Sequence, residues 1–403
     1  MKLLIASSLY SPNFVGGAER IAQVLAEGLL KAGHEAVVAT ADGGRGTRVG
    51  FVNGVKVHYI GIRNLYWPRA GYHPPNALKP VWHAINSYNP WMASAFARVL
   101  DSEQPQVVNT HSLPGLSCSV WPVVKARELP LMHTLHDHGL LCPRTNMFVR
   151  DVNCSRPCAA CGLLSAPGRR MSAHVDVVAG VSRYILRRHL DAGYFPNATA
   201  RTVIYNGLPA RPPAPARADR AAGPLRLGFV GRLASEKGVQ LLVQQMAAWT
   251  DAECELVVAG AGDAEYERQL RAQAPSNVRF LGFVDPAELY RSIDVLVVPS
   301  LVNDSLPTTV IEAYLHGVPV IASTRGGLPE LVDHGRTGLL FDPARPAAMA
   351  AAIGTFLADR TLAARMKPAV VERARPFSVE RMRSDYLQLL TRAAAAGGQR
   401  ALA

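Results

Sequence analysis

The stretch from Val295 to Ser323, VLVVPSLVNDSLPTTVIEAYLHGVPVIAS, allows few architectures. Two β-branched apolar runs, Val295–Pro299 and Val318–Ala322, read as buried strands. Between them a polar loop, Leu301–Pro307, opens into a short helix that ends near Gly317. Strands buried on both faces belong to a parallel sheet, so the loop lies at a strand carboxyl end, where open α/β folds bind ligands. The loop brings Asp304 and Ser305, and the helix brings Thr308 and Glu312 on one face. The helix amino terminus offers unpaired N–H groups to an anion. Glu312 lies beyond the first turn and can accept hydrogen bonds from hydroxyls. A ligand carrying both phosphate and sugar hydroxyls suits this pattern.

The rest of the chain repeats the α/β pattern. Lys2–Ser8 reads as a strand, followed by a glycine pair, Gly16-Gly17, and a helix from Glu19 to about Lys31. Glu35–Thr40, Lys56–Ile62, Gln106–Thr110, Leu131–Leu135, Val175–Val181 and Val203–Tyr205 read as further strands. The Pro- and aromatic-rich residues from 63 to 100 read as a lid or docking loop without regular structure. A Pro/Ala-rich run without periodicity, residues 207–223, reads as a linker. Beyond it, Leu225–Gly231 is a strand whose loop carries Arg232 and Lys237, the planar fork and point charge that a diphosphate needs. The Gly260, Gly262, Asp263 turn after the next strand allows close packing against a nucleotide. His111 stands at the tip of a buried strand, in the crevice position. The expected division is an amino-terminal Rossmann-like domain over 1–206, the linker 207–223, and a ligand-binding domain over 224–377, with helix 378–393 packing back on the first domain.

These motifs together resemble the retaining family 4 glycosyltransferases of the GT-B fold. The Asp304, Glu312-Ala313, Gly317-x-Pro319-Val320 block resembles the family signature of Glu, seven residues, Glu-Ala, then Gly-x-Pro-Val, with Asp304 in place of the first Glu. Gly231-Arg232 followed by Lys237-Gly238 resembles the family's diphosphate clamp, and GGAER its amino-terminal glycine loop. The resemblance implies an α/β fold of two Rossmann-like βαβ domains facing each other across a cleft. It implies transfer of a sugar from a nucleotide sugar to an acceptor hydroxyl with retention, and no cofactor for catalysis. His111, Arg232, Lys237 and Asp304 would be the catalytic groups. Gly16, Gly17, Gly231, Gly262, Ser305, Leu306, Pro307, Thr308 and Glu312 would bind the donor. The aspartate at 304 reaches one methylene less than the usual glutamate, which bears on the sugar held. A nucleotide-sugar 2-epimerase of the same fold and an inactive binding protein are the alternatives.

At 403 residues the chain is long enough for two domains of ~200 residues with full cores. The opening MKLLIASSLYSP turns polar too soon for a signal peptide, and no apolar run is long enough to span a bilayer. A cytoplasmic protein is expected, peripheral on the inner membrane face. Net charge is +12, and residues 1–205 hold 21 Lys and Arg against 11 Asp and Glu. From Gly43 to Leu100 there is no acidic residue, while Arg45, Arg48, Lys56, Arg63, Arg69, Lys79 and Arg98 alternate with Tyr66, Trp67, Tyr72, Trp82, Tyr88 and Trp91. Such a mixture suits an anionic membrane surface, with Trp67 and Trp82 at headgroup level, or a phosphate-bearing glycan or glycolipid acceptor. A solvated basic face accounts for the same residues. No nucleic-acid motif is present, and nucleic acid is not an expected partner.

Four of the six cysteines, Cys142, Cys154, Cys158 and Cys161, follow His136, Asp137 and His138 in one segment. In a reducing compartment they suggest a structural zinc or iron–sulfur cluster, or plain reduced thiols. An HD-x(4)-CPR stretch followed by a cysteine cluster resembles a subset of the family. Cys118 and Cys254 sit in apolar surroundings and read as core residues.

Overall fold

Two parallel sheets carry the chain. The computed structural model describes residues 1–13, 17–68, 75–209, 223–345 and 347–400, and the side chains of all these up to residue 395. The first sheet runs, edge to edge, Ala200–Val203, Val177–Gly180, Leu131–Leu135, Val107–Thr110, Lys2–Ser7, Glu35–Asp42, Val55–Gly61 and Thr47–Val52. Every neighbouring pair is parallel except the last, which is antiparallel. The second sheet runs Val278–Gly282, Cys254–Ala259, Leu225–Val230, Val295–Val298, Val320–Ser323 and Gly338–Phe341, all parallel. The apolar runs that suggest strands are these: Leu3, Leu4 and Ile5 in one sheet, and Val295, Leu296 and Ile321 in the other, are fully buried.

Each sheet reverses its strand order once, between Lys2–Ser7 and Val107–Thr110 in the first and between Leu225–Val230 and Val295–Val298 in the second. Such a switch point leaves a crevice beyond the carboxyl ends of the two central strands.

The chain forms two units. The first comprises Met1–Met147, Cys154–Gly207 and Val379–Ala403, and the second Phe148–Asn153 and Leu208–Ser378. The helix Val379–Arg400 lies against Gly17–Lys31 and the strands Val107–Thr110 and Leu131–Leu135 of its own unit. A feature with no counterpart in the sequence pattern is the two-stranded hairpin Phe148–Val149 with Val152–Asn153, which belongs to the second unit although its flanks belong to the first.

The segment expected to be an irregular loop is mostly helical. Leu78–Ser87 and Pro90–Glu103 are helices. Pro80 falls in the first turn of one and Pro90 at the first position of the other, where a missing N–H costs nothing. Asn89 caps the second helix, its side chain accepting the Met92 amide at 3.0 Å. Prolines therefore mark helix starts here. Arg69 and Tyr72 of the basic aromatic segment, Gly16 of the glycine pair, and most of the 207–223 linker lie outside the described residues.

Candidate active site

In the second unit, the loops at the switch point are bound to each other. Residues 231–238 leave the strand Leu225–Val230, and residues 299–307 leave Val295–Val298. The Glu236 carbonyl accepts the amides of both Leu301 and Val302 at 3.0 Å. Across this junction Lys237 Nζ donates to both carboxylate oxygens of Asp304, at 2.8 and 2.7 Å. Ser300 Oγ donates to the same carboxylate at 3.0 Å, and Ser323 Oγ holds the Ser300 carbonyl at 2.7 Å. Two residues expected in separate roles, Lys237 on the diphosphate and Asp304 on the sugar, thus form one half-buried ion pair. Arg232, more exposed, donates to the Glu236 carboxylate.

The helix Thr308–Leu315 begins directly after Pro307. Among the described residues, the amides of Thr308 and Thr309 in its first turn have no recorded acceptor, which leaves a positive helix end next to the Lys237–Asp304 pair. Ser305 is half-buried and Leu306 buried beside it. One turn further on, Glu312 Oε2 accepts the Tyr290 hydroxyl at 3.2 Å, while Tyr290 stacks on His316. No sequence signal singles out Tyr290, because its partner is distant in the chain.

The glycines hold these loops together. A side chain on Gly262 would place its Cβ 1.9 Å from the Leu233 carbonyl oxygen, and one on Gly260 would be as close to that of Gly231. The Leu233 amide donates to the Ala261 carbonyl at 3.0 Å. Gly260 and Gly262 therefore shape the arginine-bearing loop, and Gly231 leaves the strand at a positive φ of 153°. Asn153, at the end of the hairpin, donates to the Leu301 carbonyl at 2.7 Å and accepts the Asn303 amide at 2.8 Å. No sequence signal marks Asn153, since its partners lie about 150 residues away.

The first unit contains a cavity whose wall includes Trp82, His111, His136, Asp137, Cys142 and Thr145. His111, expected to act on substrate, is fully buried, and both of its ring nitrogens meet protein partners: Asn109 at 3.1 Å and His136 at 2.8 Å. His136 and Asp137 are half-buried residues of that wall. Burial brings the His136 imidazole down to about 4. Burial pushes the Asp137 carboxyl up to about 6, against the pull of the Gly139 amide and with a push from Glu19. Gly17 is the first residue of its helix, two positions before the buried Glu19.

An acid with a raised folded pKa binds protons that the unfolded chain has already lost, so Asp137 weakens the fold as pH rises from about 4 to 6. Asp137→Asn is therefore expected to stabilise the protein by up to ~2–3 kcal/mol at pH 7.5 and by little at pH 4. It should also lower activity if the carboxylate is retained for function. Thermal melts at the two pH values check the first part; equal gains at both would contradict it.

Of the four clustered cysteines, Cys142 and Cys161 approach to 3.8 Å between sulfurs. Cys158 immediately precedes the helix Ala159–Met171, without a side-chain capping bond, and interacts with Cys161. Cys154 is held through its amide by the Met147 carbonyl. Among the described residues, no three His, Cys, Asp or Glu side chains are grouped to hold a metal ion. Cys118 and Cys254 are buried. Trp82, expected at a membrane surface, is instead buried at 5% exposure with its indole N–H bonded to the Tyr66 carbonyl.

Residues 15–211 match the model of Glycosyltransferase Family 4, and residues 224–359 match that of Glycosyl transferases group 1. A 42.6 kDa protein of the cps region of Klebsiella pneumoniae is 30% identical over 332 residues, 82% of this chain and 87% of that protein. The chain is a family 4 glycosyltransferase. A D-inositol 3-phosphate glycosyltransferase of Corynebacterium glutamicum is 38% identical over 166 residues, which span 38% of this chain and 40% of that enzyme. Sucrose-phosphate synthase of Thermosynechococcus elongatus superposes with a TM-score of 0.75 at 23% identity, covering 98% of this chain and all of that one. Anabaena HepE in complex with UDP gives 0.72 at 20% identity, covering 97% and 100%. The fold of the family 4 chain is therefore GT-B, and its activity is glycosyl transfer of the hexosyltransferase type. Among its described residues no helix is long and apolar enough to cross a membrane.

Proposed function

We propose that the protein transfers a sugar from a nucleoside-diphosphate sugar, held by the second unit, to a hydroxyl of an acceptor held in the first unit's cavity. The observation that carries this reading is the Lys237–Asp304 pair beside a helix amino terminus at the sheet's switch point. Lys237 and the helix end answer the diphosphate, Asp304 a sugar hydroxyl, and Glu312 the ribose. In the retaining reaction the bond from the anomeric carbon to the diphosphate oxygen breaks. The bond to the acceptor oxygen forms on the same face, and the acceptor proton passes to the departing phosphate oxygen. Charge builds on the leaving group, where Lys237 and Arg232 stabilise it most strongly in the transition state. Assembly of a cell-surface polysaccharide or glycolipid is the setting, supported by the cps-region relative.

Incubation with UDP- and GDP-sugars and candidate acceptors is the test. Release of nucleoside diphosphate with a product of unchanged anomeric configuration is expected. An inverted product would overturn retention, and an epimerised or unreacted donor would overturn transfer.

We also propose that the first unit meets an anionic membrane. Leu78 and Val81 on one helix, with Tyr88 and Trp91 after it, are exposed beside Arg63 and Lys79. Two or three such cations near a bilayer contribute ~1 kcal/mol each. Sedimentation with anionic vesicles is expected, weakened by salt and by the pair Arg63→Glu, Lys79→Glu. Indifference to vesicles at low salt would leave this face merely solvated.

The cysteine segment, in our reading, binds structural zinc or an iron–sulfur cluster. The 3.8 Å sulfur separation of Cys142 and Cys161 equals the edge of a tetrahedron with Zn–S bonds of about 2.3 Å. Cys154 and Cys158 would complete it by closing on that pair, since among the described residues no third ligand is already grouped with it. Elemental analysis of purified protein is expected to find about one zinc, or one cluster, per chain; metal-free protein with four freely titrating thiols would refute it.

A further inference from the structure

We propose that a buried hydrogen-bond chain fixes the tautomer of His136, so that its Nδ1 presents an N–H donor to an acceptor oxygen in the cavity. The chain begins at Tyr386 on the final helix, whose hydroxyl donates to Thr134 Oγ1 at 3.4 Å. Thr134 Oγ1 donates to Asn109 Oδ1 at 3.2 Å. The Asn109 Nδ2 lies 3.1 Å from His111 Nε2, and His111 Nδ1 lies 2.8 Å from His136 Nε2. Tyr386, Thr134, Asn109 and His111 are all at most 1% exposed, so water does not compete for these bonds.

The direction follows from counting hydrogens. With the Asn109 oxygen accepting from Thr134, its amide nitrogen must donate, and His111 Nε2 must accept. His111 then carries its proton on Nδ1 and donates to His136 Nε2, which leaves the His136 proton on Nδ1. Reversing every bond would require the buried Tyr386 hydroxyl to donate elsewhere. Among the described residues its hydroxyl has no recorded bond except to Thr134, and a buried donor without an acceptor is disfavoured. Burial keeps His111 and His136 neutral, as a single-tautomer chain needs.

The remaining nitrogen of His136 is thus a donor set from behind. A ligand oxygen with a free lone pair, as in an acceptor hydroxyl or phosphate, is favoured there over a group that must itself donate. Asn109, Thr134 and Tyr386 are positioning residues that act through His111 and His136. None is marked by the sequence, since each looks like an ordinary buried polar or aromatic residue.

The idea rests on the cavity being the acceptor site, and its first measurement does not. Imidazole nitrogen NMR of 15N-histidine-labelled protein at pH 7.5, with His136→Gln to assign signals, should show both His111 and His136 protonated at Nδ1. Protonation of His136 at Nε2 would overturn the proposal. Asn109→Asp supplies only acceptors, so it should move both imidazoles to the Nε2-protonated form and lower kcat/KM for the acceptor at least tenfold, mainly through KM. Tyr386→Phe removes the first donor and should leave His136 a mixture of tautomers, with a smaller loss of about threefold. Unchanged tautomers in folded Asn109→Asp protein would also overturn it. Tautomers that respond as expected, without any change in acceptor kinetics, would instead overturn the assignment of the cavity to the acceptor.

Discussion

Lys237→Ala is expected to lower kcat with a nucleotide sugar by roughly 10- to 150-fold, from a lost charge-assisted contact of about 1.5–3 kcal/mol. KM for the donor should change less, since in the proposed reaction the contact strengthens as negative charge develops on the departing diphosphate. The structure adds a second cost. Lys237 is the cation that neutralises Asp304, so its removal leaves a half-buried carboxylate facing an anionic ligand. Arg232 is 64% exposed at its side chain and already paired with Glu236, so Arg232→Ala should have the smaller effect. The two groups of the ion pair act as a unit. Lys237→Ala with Asp304→Ala should therefore weaken donor binding by less than the sum of the single changes. Steady-state kinetics with a matched donor decide this, and full turnover in Lys237→Ala would sink the clamp.

Gly262→Ala should cost ~1–3 kcal/mol or more, because the new methyl group meets a backbone carbonyl at 1.9 Å and no side-chain rotation relieves it. The Leu233 carbonyl must then retreat, and Arg232 moves with it. A melting temperature lower by several degrees and nucleotide affinity reduced at least ~tenfold are expected together. Gly354→Ala is the matching control. It lies inside the helix Ala348–Ala358, and a methyl group added there would meet nothing within 4 Å, so it should stabilise by ~0.5–1 kcal/mol. Equal behaviour of the two variants would show that the loop contact is not tight.

The fold is legible where a single local signal is enough. Fully apolar runs such as Val295–Val298 and Val320–Ala322 read as buried parallel strands, and the loops beyond them then follow. Misreadings come from residues whose meaning depends on position. Pro80 and Pro90 look like loop-formers in the sequence, but each falls in the first turn of a helix. Asn53-Gly54 is a strong signal for a tight hairpin that a search for buried strands passes over. It joins Thr47–Val52 to Val55–Gly61, with both residues at positive φ. Trp82 groups with the surface aromatics in sequence because composition carries no information on which face of a helix is buried.

The candidate site is legible in its residue types and not in its pairings. Arg232, Lys237, Asp304 and Glu312 stand out as charges at strand ends. That Lys237 bonds Asp304, 67 positions away, is a fact of tertiary structure. The same holds for Tyr290 with Glu312 and for Asn109 behind His111. Buried polar residues of this kind have no local pattern, since their partners come from other strands.

The small hairpin Phe148–Asn153 has a consequence for dividing this chain. Because it belongs with residues 208–378 while its neighbours on both sides do not, the polypeptide passes between units four times, after Met147, Asn153, Gly207 and Ser378. A fragment cut at 208 and 378 would lack Asn153, and the Leu301 carbonyl and Asn303 amide would turn to water. A chimera that exchanges donor specificity by swapping residues 208–378 with a relative would keep this hairpin beneath a foreign 301–303 loop. To transplant the proposed donor site intact, residues 148–153 must travel with it.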